Sequence, residues 1–198
     1  MKKHFILFLF FCVCLDFTTS AQTINWAAFM QKQALQWDSI GNNYYSGAFI
    51  GNGLLGMNIY KPAQNEVHFD IGRSDVVDNR TAQYPNLGKL YTQARLPIGY
   101  YVVKTSGNIL SSKVTLDIYN AKALGTLITD LGEIRFTAYV AAEKEVIVLT
   151  LSVSGKEKRP ELSFVADKSI SPRYLQSYPK DKPSDFPANP EIQKTVEG

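Results

Sequence analysis

Two periodicities divide the chain. Asn25 is followed by Trp26, Phe29 and Met30 at helical spacing, with Gln and Lys between them, and the spacing continues through Gln33 to Trp37. This predicts a helix over 26–37 with Asn25 as N-cap, ended by Asp38 and Gly41. Its aromatic face, with both Trp26 and Trp37, is expected to pack onto the rest of the protein. After Gly41 the period becomes two. Strands are predicted at 48–50, 54–60, 66–71, 99–105, 113–119, 125–129, 133–141, 146–153 and 161–166.

The connections between these strands hold turn residues: Gly51-Asn52-Gly53, Gly107-Asn108, Asp130-Leu131-Gly132 and Ser154-Gly155-Lys156. Val114, Leu116 and Ile118 alternate with Thr115, Asp117 and Tyr119, which marks a strand with one buried face. Val146 to Leu149 is apolar at every position and predicts a central strand covered on both sides. Many short strands with close turns point to an all-β, antiparallel β-sandwich with one short N-terminal helix. A βαβ fold does not fit.

The two ends of the chain have a different character. Met1 to His4 is cationic, Phe5 to Leu15 is an apolar run of eleven, and Thr18 to Ala21 is a stretch of small residues. The run is shorter than the about 20 residues of a membrane-spanning helix, so residues 1–21 read as a signal peptide cleaved before Gln22. The protein is expected to be exported, to the periplasm or beyond, with no membrane span after cleavage. Residues 22–170 then form the sandwich. Six of the nine prolines lie at or after Pro160, which makes 171–198 a polar, proline-rich loop or linker. A loop of this kind at the end of the sequence suggests the front part of a longer polypeptide.

Composition narrows the chemistry. With 45% hydrophobic residues and 20% charged, a core can form and a disordered chain is excluded. The net charge is only +3, and no basic run marks a nucleic-acid surface. Cys12 and Cys14 both fall in the signal segment. The mature chain therefore has no disulfide, no thiolate metal site and no cysteine nucleophile. One mature histidine, His68, is too few for an imidazole-based metal centre. Neither a metal nor another cofactor is expected. Asn79-Arg80-Thr81 matches the glycosylation pattern, a short motif that arises easily by chance.

Two blocks carry the remaining candidates. In Gly51 to Met57, three glycines surround Asn52 between apolar strands, so the turn either presents Asn52 at a rim or is an ordinary hairpin. In Val67 to Arg80, Val67, Phe69 and Ile71 point to one face while His68 and Asp70 point to the other. Asp70, Arg73, Asp75, Asp78 and Arg80 follow within eleven residues. Arginines among aspartates either grip sugar hydroxyls or form an ion-pair cluster that fixes the loop. Asn52, Asp70, Arg73 and Asp75 are the candidates for substrate binding or a domain interface. No catalytic residue is assigned in this chain, because a glycosidase carboxylate pair is defined by distance and not by spacing.

At these residues the chain resembles the N-terminal region of secreted bacterial six-hairpin glycosidases, nearest to family 95 glycoside hydrolases and their uncharacterised relatives. Gly51-Asn52-Gly53-Leu54-Leu55-Gly56-Met57 is similar to that group's Gly-Asn-Gly-x-Leu-Gly-Ala/Met entry. Ile71-Gly72-Arg73-Ser74-Asp75-Val76 stands where the group has its next strand and an Asp-containing loop. The resemblance implies a supersandwich like that of galactose mutarotase, preceding an (α/α)6 barrel with the catalytic groups. It also implies a glycan substrate and a C-terminal barrel domain as partner, with this region inactive alone. The loop after Ile71 lacks the Asn-Glu-Asp-x-Leu-Trp form of α-L-fucosidases, so fucose specificity is not implied. The alternative is a secreted, non-catalytic carbohydrate-binding or structural β-sandwich module.

Overall fold

The computed structural model describes residues 23–78 and 95–167, together with Ser171 and Gln176. The proposed signal segment, Arg80 with the glycosylation match, and nearly all of the proline-rich stretch lie outside the described residues. A short helix α1 (Trp26–Gln31) precedes strand β1 (Leu35–Trp37) and a 3-10 turn at Tyr44–Ser46. Strands β2 (Ala48–Gly51), β3 (Leu55–Ala63), β4 (Glu66–Arg73) and β5 (Gly99–Lys104) follow. Next come β6 (Ile109–Asp117), β7 (Lys122–Thr129), β8 (Gly132–Val140), β9 (Ile147–Gly155) and β10 (Glu161–Ala166). Among the described residues they form two five-stranded antiparallel sheets, ordered β1-β6-β7-β8-β9 and β10-β5-β4-β3-β2. The fold is the all-β sandwich that the alternating pattern predicts.

Three expectations need correction. The predicted helix stops at Gln31, where Asn25 does cap it by accepting from the Ala28 N–H at 3.0 Å. Leu35–Trp37 instead forms β1, because its backbone pairs with β6 in the register Leu35↔Leu116 to Trp37↔Val114. The aromatic face is not buried as a unit either. Trp26 is 58% exposed and meets Phe29 edge-on, whereas Trp37 packs against the core and meets Phe49 edge-on at 6.3 Å. Last, in the apolar Val146–Leu149 segment Val146 is exposed just before β9, and Ile147–Leu149 begin β9 at the edge of the first sheet, where they are half-buried.

Between the sheets, Ile59, Val67, Phe69 and Val103 face Val114, Leu127, Ile134 and Phe136. Full burial of each such side chain contributes about 1.5–3 kcal/mol. The rings of Phe69 and Phe136 meet across the layer at 5.5 Å and 79°, the edge-to-face geometry that aromatic quadrupoles favour. Gly125 makes room for this contact. A Cβ there would lie 2.0 Å from the Phe136 ring.

One end of the sandwich is closed by Glu157, buried in the connection from β9 to β10. Its carboxylate accepts from the Ser106 N–H at 2.7 Å, from the Gly107 N–H at 3.2 Å and from the Thr129 hydroxyl at 2.6 Å. Burial pushes its pKa upward, but these hydrogen bonds outweigh burial and hold it below the usual glutamate value. The bonds join the β5–β6 and β9–β10 crossovers to the β7–β8 turn.

The different surroundings of the two tryptophans are testable by thermal melting. Trp37→Ala should cost about 2–3 kcal/mol, less than the about 3–5 kcal/mol of a fully buried aromatic. Trp26→Ala should leave the Tm nearly unchanged. Equal effects would contradict the placement of Trp37 in a strand against the core.

Candidate functional site

The register of three strands builds the site. Gly51 pairs with Gly56, and Gly56 pairs with Gly72, so three glycines lie in a row across β2, β3 and β4. Their neighbours Ile50, Met57 and Ile71 turn inward to the core, which leaves the glycine row on the outward face. Among the described residues no side chain fills that row, and a Cβ added at Gly72 would meet none of their atoms within 4 Å.

Above the row an open cleft of about 700 Å³ is bounded by Tyr44, Tyr45 and Phe49 on the side of the 3-10 turn, and by Arg95, Leu96 and Pro97 before β5. Asn58, outward on β3, holds the turn in place by donating to the Tyr44 carbonyl at 2.8 Å. The aromatic wall is open to solvent, with Tyr45 85% exposed. Asp70, Arg73 and Asp167 also line the cleft.

The four candidates from the sequence divide between the cleft and the adjoining end of the sandwich. Asn52 closes its own turn, accepting from the Leu54 and Leu55 N–H groups at 3.1 and 2.8 Å. It also donates to the Ala141 carbonyl at 2.9 Å, which ties the β2–β3 turn to the end of β8 in the other sheet. Arg73 forms a two-pronged pair with Asp75 at 2.9 and 2.7 Å and a second ion pair with Glu145, between β8 and β9. The Arg73 hydrogen bonds hold Asp75 below the usual carboxylate range. Asn52 and Arg73 therefore link the two sheets at this end, with Asp75 bracing Arg73, and Arg73 contributes to the cleft lining as well.

Asp70 stands apart. Its register partners are Asn58 and Tyr100, and the Tyr60 hydroxyl donates to its carboxylate at 3.3 and 3.4 Å. Burial pushes its pKa up to about 6; the Tyr60 hydrogen bond opposes the rise and the nearby Asp167 carboxylate adds to it. Burial, followed by the charge of Asp70, raises Tyr60 in turn. His68, two residues away, stacks on Tyr100 at 4.5 Å, and its pKa is lowered by burial against the pull of Glu66. Among the described residues no three His, Cys, Asp or Glu side chains are grouped to hold a metal ion, and no helix is long and apolar enough to cross a membrane.

Several residues of the cleft carry no mark in the sequence reading above. Tyr44 and Tyr45 fall in a segment with no period, although an aromatic pair next to Asn42 and Asn43 is itself a signal. Gly56 lies inside the predicted strand 54–60, whereas Gly72 lies one residue beyond the predicted 66–71, and their alignment depends on register. Asp167 follows the last strand and gives no sign that it approaches Asp70. Comparison with known proteins finds no family that matches the chain, and no curated protein matches it.

The raised pKa of Asp70 has a definite consequence for stability. The native state holds a proton there that the unfolded chain, with a carboxyl near about 4, has released, so stability falls as pH rises from about 4 to about 6. Asp70→Asn, neutral at all pH, should raise the Tm above about pH 6 and change it little near about pH 4. A Tm difference that does not vary with pH would show that Asp70 titrates normally.

Proposed function

We propose that this chain is the N-terminal β-sandwich domain of an exported glycoside hydrolase acting on glycans. Its catalytic carboxylates would lie in an (α/α)6 barrel of the same polypeptide, and residues 1–21 would direct export. One observation carries the reading. The two sequence blocks behind the resemblance, 51–57 and 71–76, meet in a single cleft through the pairing of Gly51, Gly56 and Gly72.

The cleft suits a sugar physically. A pyranose has apolar C–H faces that stack on aromatic rings and a rim of hydroxyls that need fixed donors and acceptors. Tyr44, Tyr45 and Phe49 offer the first; Asp70 and Arg73 offer the second. The bare glycine backbone lets a ring approach closely. In this reading the domain binds and positions the glycan, and the bond is broken elsewhere.

Calorimetric titration of the purified protein with a panel of oligosaccharides tests the proposal. Tyr45→Ala should weaken binding by about two- to tenfold, the range expected for loss of one aromatic contact. Because Tyr45 is largely exposed, its Tm should not move. Hydrolysis of aryl glycosides by the 198-residue chain, lost on Asp70→Asn, would place catalysis in the sandwich and overturn the division of labour.

A further inference from the structure

The edges of the two sheets, formed among the described residues by β1, β9, β10 and β2, are not alike. β1 and β2 are only three and four residues long, and β10 opens on Glu161. β9 is nine residues long, Ile147 to Gly155, and contains neither a charge nor a proline. Its register with β8 runs without a bulge from Val140↔Ile147 to Gly132↔Gly155. Short length, charge, proline and bulges are the devices that keep an edge from pairing, and β9 has none of them. The ladder also fixes the direction of its backbone groups. The Ala141 N–H donates to the Val146 carbonyl at 3.0 Å, and the Lys156 N–H to the Leu131 carbonyl at 2.7 Å. By alternation Ile147, Leu149, Leu151 and Val153 turn their N–H and C=O groups away from β8. The side chains of these four share the inner face. Ile147, Leu149 and Leu151 pack against the core while only half-buried, and Val153 is 40% exposed.

We propose that β9 pairs antiparallel with β9 of a second copy of this chain, about a twofold axis at Thr150, and so joins the first sheets of two molecules into one. In this register Ile147 stands opposite the partner's Val153 and Leu149 opposite the partner's Leu151. The residues that turn away from β8 then face one another and exchange N–H···O bonds. Apolar side chains meet apolar ones on the inner face, while on the outer face Thr150 meets its own copy, a favourable cross-strand pair. The flanks fit the same direction. β9 is entered through Glu143, Lys144 and Glu145 and left through Lys156, Lys158 and Arg159, all exposed. An antiparallel partner sets the more acidic entry of one copy beside the basic exit of the other, whereas a parallel partner sets like beside like. Each copy uses the same edge, so the pairing closes at two. It also accounts for Val146 to Leu149, which are apolar as in a central strand although β9 stands at an edge.

Sedimentation of the purified protein over a range of concentrations, together with amide hydrogen exchange, tests the pairing. The wild type should become a dimer as concentration rises, with the Leu149 and Leu151 amides slowed in step. Thr150→Lys sets two like charges face to face at the axis and should weaken the dimer about tenfold or more. Because Thr150 is exposed, the Tm measured at a concentration where the wild type is monomeric should hardly move. Thr150→Glu alone should act in the same way. An equal mixture of the two variants should dimerise again, since each Lys then faces a Glu. A wild type that stays monomeric throughout would overturn the inference; slow exchange at Leu149 and Leu151 in that monomer would assign the edge to a segment of the chain itself. A dimer that withstands Thr150→Lys, or variants that stay apart when mixed, would overturn it as well.

Discussion

The constraint on which this protein depends is the register of β2, β3 and β4. Side chains alternate along a strand, so a single pairing places Ile50, Met57 and Ile71 toward the core and Gly51, Gly56 and Gly72 on the opposite face. A slip of one residue would reverse both sets. Asn58 and Asp70 would then enter a dry core, and the apolar residues would face the cleft. Core formation and cleft formation are therefore one event, and the burial energy of the inner residues fixes the geometry of the outer ones.

Two polar clasps hold the layers around this register. At one end Glu157 accepts from Ser106, Gly107 and Thr129, joining the β5–β6 and β9–β10 crossovers to the β7–β8 turn. At the other, Asn52 reaches Ala141 and Arg73 reaches Glu145. The clasps differ in kind. Glu157 is buried, and its hydrogen bonds outweigh the cost of burial. The Arg73 pairs are exposed to solvent and salt, where such pairs add little stability and mainly set orientation. The second clasp borders the cleft, so the less costly anchor stands where a ligand or another domain would approach.

Much of this was legible in the residues. Alternation located nine strands, and the turn residues separated them correctly, because a half-buried sheet imposes a period of two on its sequence. It failed where two periods coincide. Leu35 and Trp37 fit a helix continued from Trp26 as well as they fit a strand, and only pairing with β6 decides between them. At Val146 to Leu149, apolar character on both faces suggested a central strand, yet β9 is an edge whose inner side chains are only partly covered. Glu157 falls between the predicted strands 146–153 and 161–166, and its role appears only when three distant turns converge. At the candidate site, the outward position of Asp70 followed from alternation. Its burial beside Tyr60 and Asp167 did not, because Tyr60 comes from β3 and Asp167 from the residue after β10.

The account makes the cleft above the glycine row the place where the protein meets a saccharide, and Gly72 gives direct access to that claim. A Cβ at Gly72 meets no atom of the described residues within 4 Å, so a side chain fits the strand and projects into the cleft. Replacing a strand glycine also removes an entropic cost of about 0.5–1 kcal/mol. The measurement is oligosaccharide titration of Gly72→Leu beside its thermal melt. The account predicts an equal or higher Tm with binding reduced below detection. Full binding by a stably folded Gly72→Leu protein would contradict it.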